Sequence, residues 1–440
     1  MEMIRLNRGM MSRWEIPDTR PQRTENLIFG AEAEMLIAAH LLREGSACVT
    51  ARAESLNAQD GMFTLLARGE EKNEEIVVQK ILRALHPETD FDAFLALAKE
   101  KSLARLVLRA EEADVRLALA ARFLYARFEA ELPAPEILLI SELPSDDDAE
   151  SFSAAVRLIS AKWSRAEAFF AWLNGAKILP ALLDGLFGFM DARECAIQQQ
   201  KMNYTDEFLL WSEPEMRLTT DADADRHARI FGTAAALSAG AGWFFGFSSF
   251  AEAMRDADLR RWIGRAFTEE ILPNLPWKRE EIAADVISAF ERLENPANAA
   301  PILGSLPGKN LMKRLPRTIL PSVRAYAEEN FDAPPMLSLG VAALIMLYSG
   351  VRRDESGAYA VQRGDQTHRI CDDYDILETF SKFAHDMPAE SLAYAALADR
   401  GLWSCDLRQI DGLEARIAAD LSSIQRIGFR ATLKNRLETV

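Results

Sequence analysis

The sequence predicts an α/β protein: a doubly wound N-terminal domain followed by an all-helical C-terminal domain. Short apolar strand-like runs alternate with helical segments through the first half of the chain. From about Asp225 onward strand signals vanish, and helical periodicity continues to the C-terminus.

Leu27-Ile28-Phe29-Gly30 is a short apolar run closed by glycine, and Ala33 to Arg43 then reads as a helix. Ala47 to Ala51, Met62 to Ala67, Leu103 to Leu108 and Glu136 to Ile140 read as further strands, with helical segments before and between them. Strands alternating with helices predict a mostly parallel sheet. Beyond the Asp-rich stretch Thr219 to Asp225, the natural linker, six segments carry helical periodicity: Phe250–Leu272, Lys278–Leu293, Leu320–Phe331, Met336–Tyr348, Tyr374–His385 and Leu413–Ile427. This predicts domains at 1–224 and 225–440, with a cleft between them of the kind that binds ligands.

A chain of 440 residues suits two packed cores. A net charge of −16 and a pI near 5.0 exclude a basic nucleic-acid footprint and attraction to anionic membrane surfaces. Cys48, Cys195, Cys371 and Cys405 form no CxxC or CxxH pair, which predicts reduced thiols in a cytoplasmic protein rather than disulfides or structural zinc. Met1 to Thr24 has no apolar core of a secretory signal. Ile230 to Ala251 is uncharged and long enough to span a membrane. Its four glycines and charged flanks predict instead a buried helix, a turn and a second helix. Met336 to Val351 predicts a shorter buried helix.

Four stretches, taken in order and spacing, resemble the mannitol dehydrogenase superfamily, and within it the tagaturonate reductase (altronate oxidoreductase) branch. They are Gln59-Asp60-Gly61-Met62-Phe63-Thr64 with Arg68-Gly69; Trp172 to Asp184; Pro316 to Gly350; and Gly401-Leu402-Trp403 through Ile424 to Gly428, with Leu6-Asn7-Arg8 similar to the family's opening. The resemblance implies a Rossmann-like first domain and a helical second domain similar to that of 6-phosphogluconate dehydrogenase. It also implies NAD as cofactor and hydride transfer on a sugar acid or polyol. The family's cofactor sits on a Gly-x-Gly turn after the first strand, where backbone approaches pyrophosphate at a helix N-terminus. Its catalytic helix presents Lys, then Asn five positions on, then His three further, on roughly one side. Lysine is the base, and Asn and His bond the oxygen that develops charge.

This chain departs at both places. The turn reads Phe29-Gly30-Ala31-Glu32: Gly30 matches the first glycine, and Glu32 stands at the second, where a carboxylate repels pyrophosphate. Anchored on Ala251 to Asp256, the Lys/Asn/His positions fall on His227, Gly232 and Ala235. His227 alone could handle a proton. The Asn-Thr-Thr-Glu-Ala segment reads Arg109-Ala110-Glu111-Glu112-Ala113, and Asp184-Gly185 keeps an acid without its arginine. Ala299 and Ala300 replace a substrate-contacting histidine. Lys309, Lys313, Arg314 and Arg317 remain, in a neighbourhood that the resemblance implies supplies cations to a sugar acid. No P-loop, GxSxG or HExxH occurs, and five scattered histidines predict no metal; Asp372-Asp373 and Asp146 to Asp148 read as solvated turns or a cation site. The expected protein is a tagaturonate reductase-like chain with weakened or absent catalysis and impaired NAD binding. Its expected partners are a sugar acid or an active homologous dehydrogenase. The alternative is an active NAD-dependent oxidoreductase on a hexonate or polyol, working through His227, Lys313 and Asp184.

Overall fold

The computed structural model describes residues 6–10, 20–42, 44–68, 73–109, 115–141, 146–184, 187–189, 192–202, 208–211, 217–219, 222–295, 301–303, 308, 310–384 and 386–439. They form two compact units, Met1–Ala224 and Asp225–Val440. The Asp-rich stretch read as a linker contributes residues 222–225 to the helix Ala222–His227.

In the first unit, β1 (Thr24–Phe29), β2 (Gly45–Val49), β5 (Ile81–Leu85), β6 (Arg105–Arg109), β7 (Glu136–Ser141) and β8 (Ile178–Asp184) build a parallel sheet; β11 (Arg217–Thr219) adds an antiparallel edge. The order is β11-β8-β7-β6-β1-β2-β5. Buried on both faces, these strands are apolar almost continuously, and side chains alternate between two cores. Leu27, Phe29, Ala47, Leu106 and Leu139 face the aromatic cluster of Phe94, Phe123, Phe128 and Phe169. Ile28, Cys48, Val107 and Leu138 face Met35, Leu36 and Ile37 of the helix Ala33–Leu41. The chain leaves β1 toward β2 and later returns to β6 on the other side. The end of β1 is therefore a switch point, where α/β sheets place ligands.

The third predicted strand is formed as β3 (Phe63–Arg68), but in a second sheet, β4-β3-β10-β9, with β4 (Asn73–Val78), β9 (Phe187–Phe189) and β10 (Phe208–Trp211). The diversion begins at Asp60 and Gly61, which take φ values of +56° and +74°. A Cβ on Gly61 would overlap the Ile81 carbonyl oxygen, so the turn needs glycine. The opening segment is clipped onto this sheet: buried Arg8 donates to Thr64 Oγ1 at 3.2 Å and ion-pairs with Glu75. Leu6-Asn7-Arg8 and Gln59–Thr64 thus meet in one contact.

The second unit is organised by two buried helices, Thr233–Phe245 and Pro335–Ser349. Glycines let them approach: a Cβ on Gly240 would lie 3.1 Å from Leu344 Cδ2, and one on Gly340 would overlap Leu237. The uncharged run folds as read, a helix to Phe245, a turn at Gly246 with φ +84°, and a second helix Phe250–Arg255. Among the described residues no helix is long and apolar enough to cross a membrane. Strand signals do not vanish here: Arg352–Arg353, Tyr359–Arg363 and Gln366–Arg369 form a small antiparallel sheet. Its third strand is mostly exposed and polar, so no apolar alternation announces it.

One buried cation ties the floor of the first unit together. Arg127, 2% exposed, donates to the carbonyl oxygens of Pro133 (2.8 Å), Ala98 (3.3 Å), Glu100 (3.0 Å) and Leu103 (2.8 Å). Arg127→Met fills much of the volume but leaves these carbonyls unsatisfied, and is expected to destabilise the protein by about 3 kcal/mol in urea unfolding. A loss under about 1 kcal/mol would show that water replaces the guanidinium freely.

Candidate functional site

Gly30 follows β1 with φ +117° and donates its N–H to the Val49 carbonyl at 2.9 Å. Glu32 is the N-cap residue of Ala33–Leu41, yet its side chain makes no capping bond to that helix. The carboxylate turns back over Gly30 instead: a Cβ there would overlap Glu32 Oε2 and lie 3.0 Å from Arg116 Nη1. Arg116, on the helix Val115–Glu129, forms an ion pair with Glu32. Two residues further on, Glu34 meets Arg109 from the end of β6 at 3.2 Å, with both side chains largely buried. A helix N-terminus attracts anions through its free N–H groups and the positive end of its dipole. Here the chain's own carboxylates stand at that end, each matched by an arginine. Behind them, Cys48 Sγ donates to the Gly30 carbonyl at 2.7 Å; burial pushes its thiol up, and the Glu32 charge adds to the effect. This cysteine is therefore a protonated packing group.

Phe29, Gly30 and Glu32 are thus brought together as the sequence implies. What the sequence missed is the pair of arginines that holds the turn closed. Arg109 was visible as a departure from the family segment, but Arg116 lies 84 positions from Glu32 with no local signal. Ala110 to Ala113 lie outside the described residues.

In the second unit, the helix Ala222–His227 passes through one π-helical turn, Ala228–Gly232, into Thr233–Phe245. Positions five apart on a regular α-helix diverge by about 140°. The i→i+5 bonds of a π turn set position 232 about one turn above 227, and 235 follows on the α-helix. The turn is thus what lines up the three positions. The groups along that line are small. A Cβ on Gly232 would lie 2.7 Å from Thr318 Cγ2, and Ala235 is buried. Thr318 is itself fully buried and donates its hydroxyl to the Arg314 carbonyl at 3.0 Å. The ring of His227 packs 5.0 Å from that of Phe231, over which the Arg292 guanidinium lies at 4.2 Å. Asp184, the last residue of β8 and in register with Arg217, belongs to the other unit.

Of the basic group, Lys313 pairs with Asp373 at 3.6 Å, with both side chains well exposed. Arg317 follows the short helix Leu311–Arg314 and is partly buried; Lys309 lies outside the described residues. Asp372 and Asp373 form neither a solvated turn nor a cation site. Asp372 accepts from the Met312 N–H at 2.9 Å and the Tyr348 hydroxyl at 2.5 Å, and Asp373 caps Tyr374–Ser381. Asp146 to Asp148 begin the helix Asp146–Ser160. Among the described residues no three His, Cys, Asp or Glu side chains gather as a metal site.

Residues 224–425 match the mannitol dehydrogenase C-terminal domain family. The match spans nearly the whole of the second unit. Over the longer chain the similarity extends to altronate oxidoreductases. The protein of that name from Pectobacterium atrosepticum is 26% identical, with 86% of this chain and 87% of that one covered. The one from Klebsiella pneumoniae is also 26% identical, with 86% of each covered. Among solved structures, Pseudomonas fluorescens mannitol 2-dehydrogenase, in a ternary complex with NAD and D-mannitol, superposes with a TM-score of 0.74. That comparison covers 99% of this chain and 100% of that one at 16% identity. A D-sorbitol dehydrogenase in substrate-free form gives 0.69 at 14% identity, over 97% and 100% of the two chains. These likenesses establish the mannitol dehydrogenase fold, with an α/β sheet and a helical C-terminal domain.

The Gly232–Thr318 contact makes the packing of this helix testable. Gly to Ala ordinarily stabilises a helix interior by about 1 kcal/mol. Here Gly232→Ala is expected to destabilise by about 1 kcal/mol or more, because Thr318 is β-branched, buried and stiff. In a Thr318→Ser background, which keeps the hydroxyl and removes Cγ2, the same change is expected to stabilise. Thermal denaturation of the four proteins reads the sign, and a stabilising Gly232→Ala in the parent chain would refute the packing.

Proposed function

We propose that this chain is a tagaturonate reductase-like (altronate oxidoreductase-like) protein of hexuronate metabolism, acting in the cytoplasm, in which redox turnover has been given up. The observation that carries this reading is the Glu32 carboxylate over Gly30, held by Arg116. The residues of this turn do not fit a pyrophosphate. Its approach requires bare backbone, and here a side chain covers it. Swinging Glu32 aside breaks a half-exposed ion pair, which costs only about 1 kcal/mol or less. Charge adds to the obstacle: an unpaired carboxylate about 4 Å from one phosphate charge costs roughly 4 kcal/mol at an effective dielectric of 20, an upper limit that the Arg116 guanidinium reduces.

The helix that would run the chemistry supports the same reading. Gly232 and Ala235 carry no donor, and Thr318 closes the space beside Gly232. Loss of a base and of oxyanion donors costs about two or more orders of magnitude each. What remains is binding. The Lys313–Asp373 pair is exposed enough that a sugar-acid carboxylate competes for the ammonium on nearly even terms, with Arg317 close by in sequence. The role we assign is that of a hexuronate- or hexonate-responsive homologue of an active dehydrogenase.

Fluorescence titration with NADH tests the claim. The parent chain is expected to show no saturable binding up to millimolar NADH, and Glu32→Gly to bind at least tenfold more tightly. Neither protein is expected to oxidise NADH with tagaturonate at ordinary enzyme rates. Micromolar binding by the parent chain, or turnover by it, would overturn the proposal in favour of catalysis through His227, Lys313 and Asp184.

A further inference from the structure

The helix Pro335–Ser349 begins in the interior, and its first N–H groups need partners there. Glu270, 1% exposed, supplies them: Oε1 accepts from Met336 N at 2.6 Å and Oε2 from Leu337 N at 2.8 Å. Beside it, Arg436 of the helix Phe429–Thr439 donates to the Pro335 carbonyl at 2.8 Å and ion-pairs with Asp420 of Leu413–Ile427. Asp420 is 2% exposed, and its Oδ2 is buried with no hydrogen-bond partner. Arg436 thus sits between two buried carboxylates.

Of the other charged groups on and around this helix, Arg430 and Lys434 pair with Asp256 and Asp258, each at 3.7 Å, and Arg265 donates to the Leu437 carbonyl at 3.5 Å. Arg265 pairs with Glu269 at 2.8 Å and Arg416 with Asp332 at 2.5 Å, while Tyr326 is a neutral phenol pushed up by burial and by the Glu270 charge. Four carboxylates (Glu269, Glu270, Asp332, Asp420) therefore face three guanidiniums (Arg265, Arg416, Arg436). The surplus negative charge falls on the most buried acids. An oxygen without a partner, Asp420 Oδ2, is available to hold a proton.

We propose that Glu270, Asp420 and Arg436 form a proton-operated lock on the C-terminal helix, tight when a carboxylate of the cluster is protonated and loosened when both are ionised. Burial drives both acids up, Glu270 to about 7 and Asp420 to about 6, against the opposing pull of their hydrogen bonds and of Arg436. Both folded-state values lie above the ordinary carboxylate range. Their contribution is therefore complete below that range and is lost as pH rises through 6 to 7. The lock opens across the span in which cytoplasmic pH varies, and Arg436 is the tie of this helix whose acid partner is buried, whereas the Arg430–Asp256 and Lys434–Asp258 pairs on the same helix are more exposed.

Hydrogen exchange of the full-length protein, read by mass spectrometry over residues 429–439 and corrected for the intrinsic pH dependence of exchange, tests this. Opening of that segment is expected to rise about tenfold from pH 6 to pH 8, the change in occupancy of a site at about 7. In Glu270→Gln the rise is expected to shrink at least threefold, and in Asp420→Asn, whose site lies near 6, by about twofold. An equal slope in parent and variants would overturn the proposal, as would pH-independent protection in the parent chain. If either variant fails to fold, the parent decides alone: its thermal midpoint is to fall from pH 5.5 to pH 8, and a flat or rising midpoint contradicts the lock.

Discussion

The structure of the first unit depends on what stands at the positive end of the helix Ala33–Leu41. That end emerges at the switch point of the sheet, beside the left-handed Gly30, and an electrostatic demand exists there whatever the chain's role. A dinucleotide-binding protein leaves the demand for pyrophosphate to meet. This chain meets it with Glu32 and Glu34, and then balances the two carboxylates with Arg116 and Arg109. The helix terminus is neutralised internally, and Cys48 beneath it stays protonated.

In the second unit the corresponding constraint is packing rather than charge. The π turn at Ala228–Gly232 survives, and it is the irregularity that lines up positions 227, 232 and 235. A π turn sacrifices regular hydrogen bonding and is most often kept where side chains must be aimed. Here it aims glycine and alanine, and the Thr318 methyl fills the space beside Gly232. Elsewhere in the unit, two helices meet through Gly240 and Gly340, and the buried start of Pro335–Ser349 is capped by Glu270.

Much of this was legible in the chain because the signals are local. Leu27 to Phe29 ending at Gly30, the charge-free run to Phe245 and the helix Leu413–Ile427 are periodic and contiguous, and the structure forms them close to where periodicity places them. Glu32 could be seen to stand at the second position of the turn. Its tether could not, because Arg116 sits on another helix and only the fold of the sheet brings it near. Gly232 read as a missing amide; that its space is taken by Thr318 emerges only from packing between segments far apart in the chain. The strands at Tyr359–Arg363 and Gln366–Arg369 were missed for a different reason: both are short, only Tyr359 to Val361 are buried, and the second strand is mostly exposed and polar.

The central claim is that the chain's own carboxylate occupies the place of a bound nucleotide's pyrophosphate. Crystals soaked in millimolar NAD test it most directly. The account predicts electron density for Glu32 lying over Gly30 against Arg116, with no nucleotide at the end of β1. Density for a dinucleotide along the carboxyl edge of the sheet, with Glu32 displaced and Arg116 turned to a phosphate, would contradict it.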